Sequence, residues 1–257
     1  MGLNVLAILG ACAIGLSLGV MGSGGSILTV PVLVYLVDQP EKVAIAGSLI
    51  IVGSIAMLGS LSYMRQKQVD WNTVMLFGIP GIVGSYGGAW LSAYFSGLMQ
   101  LSIFAGIMLI ASYFMLRPKR DIEQQSDHQR HTFKIVMDGT LVGIVTGVIG
   151  IGGGFLIVPA LVLLGGLNMR KAIGTSLVII PLNSFSGFIK HIDVLENAGH
   201  SLDWSVIGMM ILIGGIGSTV GHKIANKVPQ DKLKKMFGIF LIIMGTYILF
   251  RSLPQLI

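Results

Sequence analysis

The sequence predicts an all-α integral membrane protein: a polytopic helical bundle of two inverted-topology repeats, each with a broken or re-entrant Gly-rich hairpin. Three observations support this class. The mean hydropathy is +0.84, and only 11% of the residues are charged, against about 25% in a soluble domain. Residues 15–49 recur without a gap as residues 143–177, with 16 of 35 aligned pairs identical at an offset of 128. Gly and Pro residues interrupt both copies, which is typical of transporter cores.

The repeat is more than a shared apolar bias, because it aligns glycines and a proline in register. The identical pairs include Gly15/Gly143, Gly19/Gly147, Gly22/Gly150, Gly24/Gly152, Gly25/Gly153, Pro31/Pro159 and Ser48/Ser176. A second match, at an offset of 133, pairs Asp70-Trp71 with Asp203-Trp204. We expect the Trp side chains to anchor at the membrane interface and each Asp to cap the helix that follows it.

Each repeat divides into five apolar segments, which predict about eight long helices and two short ones. The segments are 3–22, 26–37, 43–64, 73–95 and 98–116, then 134–150, 154–166, 172–190, 204–224 and 234–252. The second segment of each repeat is too short to cross a membrane: twelve residues reach about 18 Å, against a hydrocarbon core of about 30 Å. We therefore expect a re-entrant half-helix, or a hairpin whose tip stops in mid-membrane.

The positive charges predict the orientation. The chain divides into a first repeat (1–116), a linker (117–133) and a second repeat (134–257), and five segments per repeat invert the second copy. Of the 17 Lys and Arg residues, 14 fall on one side of the predicted membrane and 3 on the other. The positive-inside rule then places the linker in the cytoplasm and both termini outside, in a multi-pass protein of the inner membrane. The first segment has no basic residue before it, so we expect it to be retained rather than cleaved as a signal.

The Gly clusters at 22–26 and 150–154 are the strongest functional feature. Each one stops a helix and starts another, and a break in hydrocarbon is tolerated only where it is buried in protein or lines a wet cavity. The new helix presents free N–H groups and a positive dipole end, which favour an anion. The alternative is that glycines only allow close helix packing. We favour packing for the glycines at 15, 19, 81–88, 143, 147 and 214–221, and an anion site for the two clusters.

Candidate substrate-binding residues follow from these breaks and from the polar residues near them. They are Ser23, Gly24, Gly25, Ser26, Ser48, Gly152, Gly153, Gly154, Thr175, Ser176 and Asn183. A hydroxyl in a membrane helix usually bonds its own backbone, whereas the amide of Asn183 has more hydrogen-bonding groups than its own turn can satisfy. No metal or other cofactor is expected, because Cys12 is the only cysteine and no catalytic or metal-binding set can be assembled.

The doubled pattern Gly-x-Gly-Gly-x-x-x-x-x-Pro-x-Leu, followed in each copy by Ala-Ile-x-x-Ser-Leu, resembles the TauE/SafE sulfite-exporter family of permeases. The matching positions are 24–33 with 44–49, and 152–161 with 172–177. The resemblance implies transport of small sulfur-containing anions such as sulfite, or sulfonates such as sulfoacetate. The first copy has Gly47 where the second has Thr175, so we expect the second copy to supply more of the side-chain contacts.

The sequence therefore favours an inner-membrane permease that exports a small anion by alternating access around a midplane site. A carboxylate suitable for a proton relay is missing from the middle of every span, and an anion leaving a negative-inside cell needs none. The expected partners are the small anionic substrate and the lipid bilayer, with a homodimer as one option and no nucleic acid. An importer of an organic acid anion and a non-transporting membrane subunit are the alternatives; an enzyme is not expected.

Overall fold

Ten helices make up the regular structure of the residues that the computed structural model describes, which are 5–117, 132–150, 154–197, 199 and 201–252. The first repeat contains α1 (Val5–Met21), α2 (Gly24–Tyr35), α3 (Glu41–Arg65), α4 (Trp71–Tyr94) and α5 (Gly97–Leu116). The second contains α6 (Thr132–Ile149), α7 (Gly154–Leu164), α8 (Met169–Asn197), α9 (Trp204–Ala225) and α10 (Gln230–Ser252). The prediction of five helices per repeat is confirmed for these ranges.

Six of the described helices are long and apolar enough to cross a membrane: α3, α4, α5, α8, α9 and α10. The sequence predicted eight long helices, but α1 and α6 have 17 and 18 residues and do not join that group. Helix α2 has 12 residues, as its apolar segment predicted. Each repeat therefore contributes three long helices and one pair of shorter ones.

The first pair of shorter helices runs antiparallel. Gly10, early in α1, lies against Val32, late in α2, and Gly25, early in α2, lies against Leu18, late in α1. The turn between them uses Gly22, whose φ of +73° strains any residue with a Cβ. Gly150 has a φ of +70° at the equivalent point after α6. Both glycines are thus required by the backbone and not only by packing.

Contacts between helices follow a two-fold pattern. Helix α1 packs along α9, and its counterpart α6 packs along α4, the counterpart of α9. Helix α3 packs on its own counterpart α8, and α5 packs on its own counterpart α10. Exchanging the two repeats therefore leaves this set of main pairings unchanged.

The glycines at these interfaces allow backbones to touch. A Cβ on Gly15 of α1 would collide with the carbonyl oxygen of Gly214 in α9. At the equivalent interface, a Cβ on Gly143 of α6 would collide with the carbonyl oxygen of Gly81 in α4. The prediction that these glycines serve close packing is confirmed, in the manner of small-residue interfaces in membranes.

The repeated Asp-Trp pair caps the fourth helix of each repeat. The Asp70 carboxylate accepts hydrogen bonds from the backbone N–H groups of residues 72 and 73, at 3.1 and 3.3 Å. Asp203 accepts from residues 205 and 206, at 3.0 and 3.2 Å. Trp71 and Trp204 are 56% and 61% exposed. The capping role predicted for both carboxylates is therefore confirmed.

Candidate functional site

The break between α1 and α2 lies against the other repeat. Gly22 is so close to α8 that an added Cβ would lie 2.8 Å from Cγ2 of Ile173 and 3.0 Å from Oγ of Ser176. The next residue, Ser23, is fully buried, and its hydroxyl has no hydrogen-bond partner. A buried hydroxyl without a partner costs free energy, so Ser23 is a group that a polar ligand would satisfy.

The break after α6 has the same relation to the first repeat. A Cβ on Gly150 would collide with Cγ2 of Ile45 and lie 2.9 Å from Nε2 of His191. Ser48 donates to the carbonyl oxygen of Gly150 at 3.3 Å and to that of Ile45 at 2.7 Å. Ile45 and Ser48 are the counterparts of Ile173 and Ser176 at the offset of 128. The third helix of each repeat therefore lines the break of the other.

The two short helices meet at equivalent positions. A Cβ on Gly154, the first residue of α7, would lie 3.1 Å from Oγ of Ser26 and 2.8 Å from Cδ1 of Ile180. Ser26 is the counterpart of Gly154 in the first repeat, and its hydroxyl donates to the carbonyl oxygen of Ser23 at 2.6 Å. The crossing of α2 and α7 therefore brings two equivalent residues of the repeats into contact.

Asn183 carries a free amide in the middle of α8. Its side chain is 1% exposed, and neither its Oδ1 nor its Nδ2 has a hydrogen-bond partner. The amide faces α4, where a Cβ on Gly81 would lie 2.9 Å from Nδ2. In the first repeat the equivalent contact joins Ile55 to Gly214 and is apolar. Asn183 therefore breaks the two-fold relation, and it lies one turn from Ile180, which contacts Gly154.

The structure brings five of the eleven predicted residues together at or beside the breaks: Ser23, Ser26, Ser48, Gly154 and Ser176. The side chains of the four serines are fully buried.

The other predicted residues have different surroundings. Gly24 and Gly25 lie at the start of α2 and pack against α1, where a Cβ on Gly25 would lie 2.6 Å from the carbonyl oxygen of Ile14. The hydroxyl of Thr175 accepts a hydrogen bond from the N–H of Asp70 at 2.9 Å, so it holds the loop before α4. Gly152 and Gly153 lie outside the described residues.

Two residues that bond the helices beside the breaks were not predicted. The Tyr63 hydroxyl donates to the carbonyl oxygen of Gly19 at 3.0 Å. At the equivalent place, Nε2 of His191 lies 3.3 Å from the carbonyl oxygen of Gly147. Tyr63 and His191 are separated by the repeat offset of 128, which was the signal available in the sequence. Each ties the third helix of its repeat to the last turn before a break.

Lys42 and Arg170 form a second equivalent pair, at opposite ends of the bundle. The Lys42 ammonium donates to the carbonyl oxygens of Ser92 and Phe95, at 2.9 and 2.6 Å. The Arg170 guanidinium donates to those of Asn226 and Val228, at 3.1 and 3.4 Å. Both cations satisfy carbonyl groups in the last turn of the fourth helix of a repeat or just after it, where a positive charge is favourable. They hold helix ends in place rather than facing the breaks.

Lys42→Met is expected to destabilise the protein by about 2 kcal/mol, because two charge-assisted hydrogen bonds to backbone carbonyls are lost. The apparent Tm in detergent should fall accordingly. Lys190→Met is the matched control, since Lys190 pairs only with the exposed Asp193 across one turn, at 2.8 Å, and such surface pairs contribute little. An equal change in Tm for both variants would contradict the capping role of Lys42.

Few ionisable side chains lie closest to the breaks. Among the side chains nearest to Gly22, Gly150 and Gly154, only His191 is ionisable. The described part of the chain also holds no group of three His, Cys, Asp or Glu side chains placed to bind a metal ion. The free polar groups are therefore backbone N–H groups, the Ser23 hydroxyl and the Asn183 amide, with the His191 imidazole beside Gly150.

Comparison with known proteins identifies the family of the chain. The family model described as sulfite exporter TauE/SafE matches residues 6–248. A probable membrane transporter protein of Xylella fastidiosa is 32% identical over 252 residues, which cover 95% of this chain and 94% of the relative. The probable membrane transporter protein YunE of Bacillus subtilis is 28% identical over 274 residues, with 97% and 98% covered. No solved structure matches. The chain therefore belongs to the TauE/SafE sulfite exporter family.

Proposed function

We propose that this member of a membrane transporter family is a permease for a small anion, which binds where α2 and α7 cross. One observation carries the proposal. The N-terminal ends of two short helices meet inside the protein, and the buried hydroxyl of Ser23, which has no partner, lies beside them. The free amide of Asn183 lies one turn from Ile180, which contacts Gly154. The first N–H groups of a helix have no intrahelical acceptor and carry a partial positive charge. Such a site suits a negative ligand and needs no charged side chain.

The arrangement of the repeats supports a midplane site. We propose that the repeats have inverted topology and that the α1–α2 and α6–α7 hairpins enter the membrane from opposite sides. The antiparallel contacts of α1 with α2, the exchangeable helix pairings and the contact of Ser26 with Gly154 all agree with this. The 14 to 3 distribution of Lys and Arg then places the termini outside and residues 117–133 in the cytoplasm of a cell with an inner membrane.

Alternating access follows from the burial of the site. The hydroxyl-bearing side chains of Ser23, Ser26, Ser48 and Ser176 are all 0% exposed, so the described site is closed to both sides. A substrate enters or leaves only if the two repeats move relative to each other. The α3–α8 contact is the element that such a rocking motion changes, because each of these helices lines the break of the other repeat.

The driving force and the family point to export of a sulfur-containing anion. An anion that leaves a negative-inside cell gains about 2.3 kcal/mol per charge per 100 mV. Among the described side chains nearest to the breaks, none is a carboxylate that would couple uptake to protons. The family takes its description from sulfite export, and a site of N–H and hydroxyl donors matches the oxygens of sulfite or a sulfonate. We therefore propose outward transport of sulfite or a small sulfonate.

Flux measurements in proteoliposomes test this function. The anions are sulfite, sulfate, sulfoacetate and a short carboxylate, each with and without an imposed potential. We expect saturable flux of a sulfur oxyanion, faster when the potential drives the anion toward the side that corresponds to the cell exterior. Flux of none of these anions above that of protein-free liposomes would overturn the proposal. Selective flux of the carboxylate would indicate that the substrate is an organic acid anion and not a sulfur oxyanion.

A further inference from the structure

A polar network closes one end of the bundle, beside the last turn of α1. We call it the basic-end network, because Arg65, Lys67, Lys171 and Lys223 flank it in the sequence. Its members are Tyr63, Gln66, Arg170, His222 and Asn226. Gln66 and Asn226 are within hydrogen-bonding distance of each other and of His222. The Tyr63 ring packs edge-on against His222 with centroids 4.2 Å apart.

The tautomer of His222 is assigned from the two amides beside it. Nε2 of His222 lies 2.8 Å from the amide nitrogen of Gln66 and 3.1 Å from that of Asn226. With the amides in this orientation their nitrogen atoms face Nε2 as donors, so the ring proton is assigned to Nδ1. Nδ1 is buried and has no partner, in a side chain that is 4% exposed. His222 therefore presents a free N–H donor inside the protein.

Two further polar groups without partners belong to Arg170, a member of the network, and to Ser218, in the turn of α9 before His222. Nε of Arg170 is buried and unbonded, and the same guanidinium donates to the backbone of Asn226. The Ser218 hydroxyl, one turn before His222 on α9, is 0% exposed and also free. The backbone of Ser218 touches Gly19, whose carbonyl accepts from Tyr63. A path of polar groups therefore runs from exposed Gln66 to the turn before the Gly22 break.

The opposite end of the bundle has no such path among its described residues. At the offset of 133, the counterparts of His222 and Asn226 are Ala89 and Ala93. The counterpart of Ser218 is Ser85, and its hydroxyl is satisfied by the carbonyl oxygen of Asn183 at 2.8 Å. The free donors are therefore not a by-product of the repeat, because the equivalent positions carry either no donor or a bonded one.

We propose that the basic-end network is a second binding site, which loads an oxyanion from the cytoplasm before it reaches the helix breaks. The Nδ1–H of His222, the Nε–H of Arg170 and the Ser218 hydroxyl are its donors. Tyr63 separates this site from the Gly22 break, so its ring must move for the anion to pass. The inference rests on the proposed function and deepens it, because it identifies the end of the molecule at which the anion enters.

The first test observes His222 directly in the full-length protein. Protein with ¹⁵N-labelled histidine is titrated in detergent with sodium sulfite and, separately, with sodium sulfate, and the ring signals are followed by NMR. The chain has five histidines, and His222→Phe identifies the signal of His222. We expect a saturable shift of Nδ1 of His222.

The second test compares affinities. His222→Phe keeps an aromatic ring against Tyr63 and removes the N–H donor, so sulfite should bind about ten-fold more weakly, as expected for one lost hydrogen bond to a charged group. Lys190→Met, which removes a cation that pairs with the exposed Asp193, is the control and should keep its affinity. A missing shift at His222, or unchanged affinity in His222→Phe, would overturn the loading site alone. No saturable binding or flux of any tested anion in the unmodified protein would overturn the proposed function as well.

Discussion

Gly154→Leu is expected to insert into the membrane, fold, and lose anion flux entirely. Gly154 begins α7 and faces Ser26 and Ile180, and the atoms that an added Cβ would meet are side-chain tips at 2.8–3.2 Å. Such atoms can move by a few tenths of an ångström, so the helices keep their packing. The rest of the leucine side chain then fills the crossing of α2 and α7, where the anion is proposed to bind. The measurement is sulfite or sulfonate flux in proteoliposomes.

The control for this variant is Gly106→Leu. Gly106 lies in α5, and a Cβ at this position would meet nothing within 4 Å. The substitution adds the same side chain at a helical position, and flux should stay at the unmodified level. Size-exclusion chromatography and thermal unfolding in detergent show whether each variant is folded. Normal flux in a folded Gly154→Leu protein would show that the anion does not pass through the crossing of α2 and α7.

The sequence predicted the positions of the breaks well because their signal is local and doubled. Gly22 and Gly150 have a positive φ, and such a requirement keeps glycine at equivalent places in two otherwise divergent copies. The capping of α4 and α9 was predictable for a similar reason. An Asp placed before an apolar run has one common local use, as a helix cap.

Contacts between the repeats could not be predicted in the same way. Nothing local shows that Ile45 lies against Gly150, or that Ser26 meets Gly154, because hydropathy does not specify which helix neighbours which. The role of Thr175 illustrates the limit. The sequence showed a hydroxyl in the second copy alone, and the structure places it against the Asp70 backbone, at the start of α4. The length of α8 was also underestimated. The helix covers Met169–Asn197, whereas the apolar segment in the sequence predicted only 172–190.

Some residue pairs at the offset of 128 have similar hydrogen-bonding roles although the residues are not identical. Tyr63 with His191, and Lys42 with Arg170, are chemically similar residues at equivalent positions, and both pairs bond backbone carbonyls. Sequence identity between the two repeats does not reveal these pairs, because the residue types differ while both can donate a hydrogen bond. A comparison of hydrogen-bonding capacity at equivalent positions would have identified both pairs from the sequence.

Gly15→Leu is expected to prevent the protein from folding to a stable bundle. A Cβ on Gly15 would collide with the backbone carbonyl of Gly214, and backbone atoms of α9 cannot rotate away as a side chain can. Overpacking a well-filled interface costs about 1–3 kcal/mol even where side chains can adjust, so the loss here should exceed that range. Separating α1 from α9 also pulls the α1–α2 hairpin off the rest of the protein. The expected readout is aggregation in detergent or a large fall in apparent Tm.

Two further variants test whether the instability of Gly15→Leu comes from the contact between α1 and α9. Gly208→Leu, in α9, adds a leucine where nothing lies within 4 Å, so it should leave Tm nearly unchanged. Gly143→Leu meets the carbonyl oxygen of Gly81 in the equivalent interface between α6 and α4, so it should be as damaging as Gly15→Leu. A two-fold arrangement requires these equal losses, since each variant separates one of two equivalent helix pairs. A stable Gly143→Leu protein beside an unstable Gly15→Leu protein would contradict that arrangement.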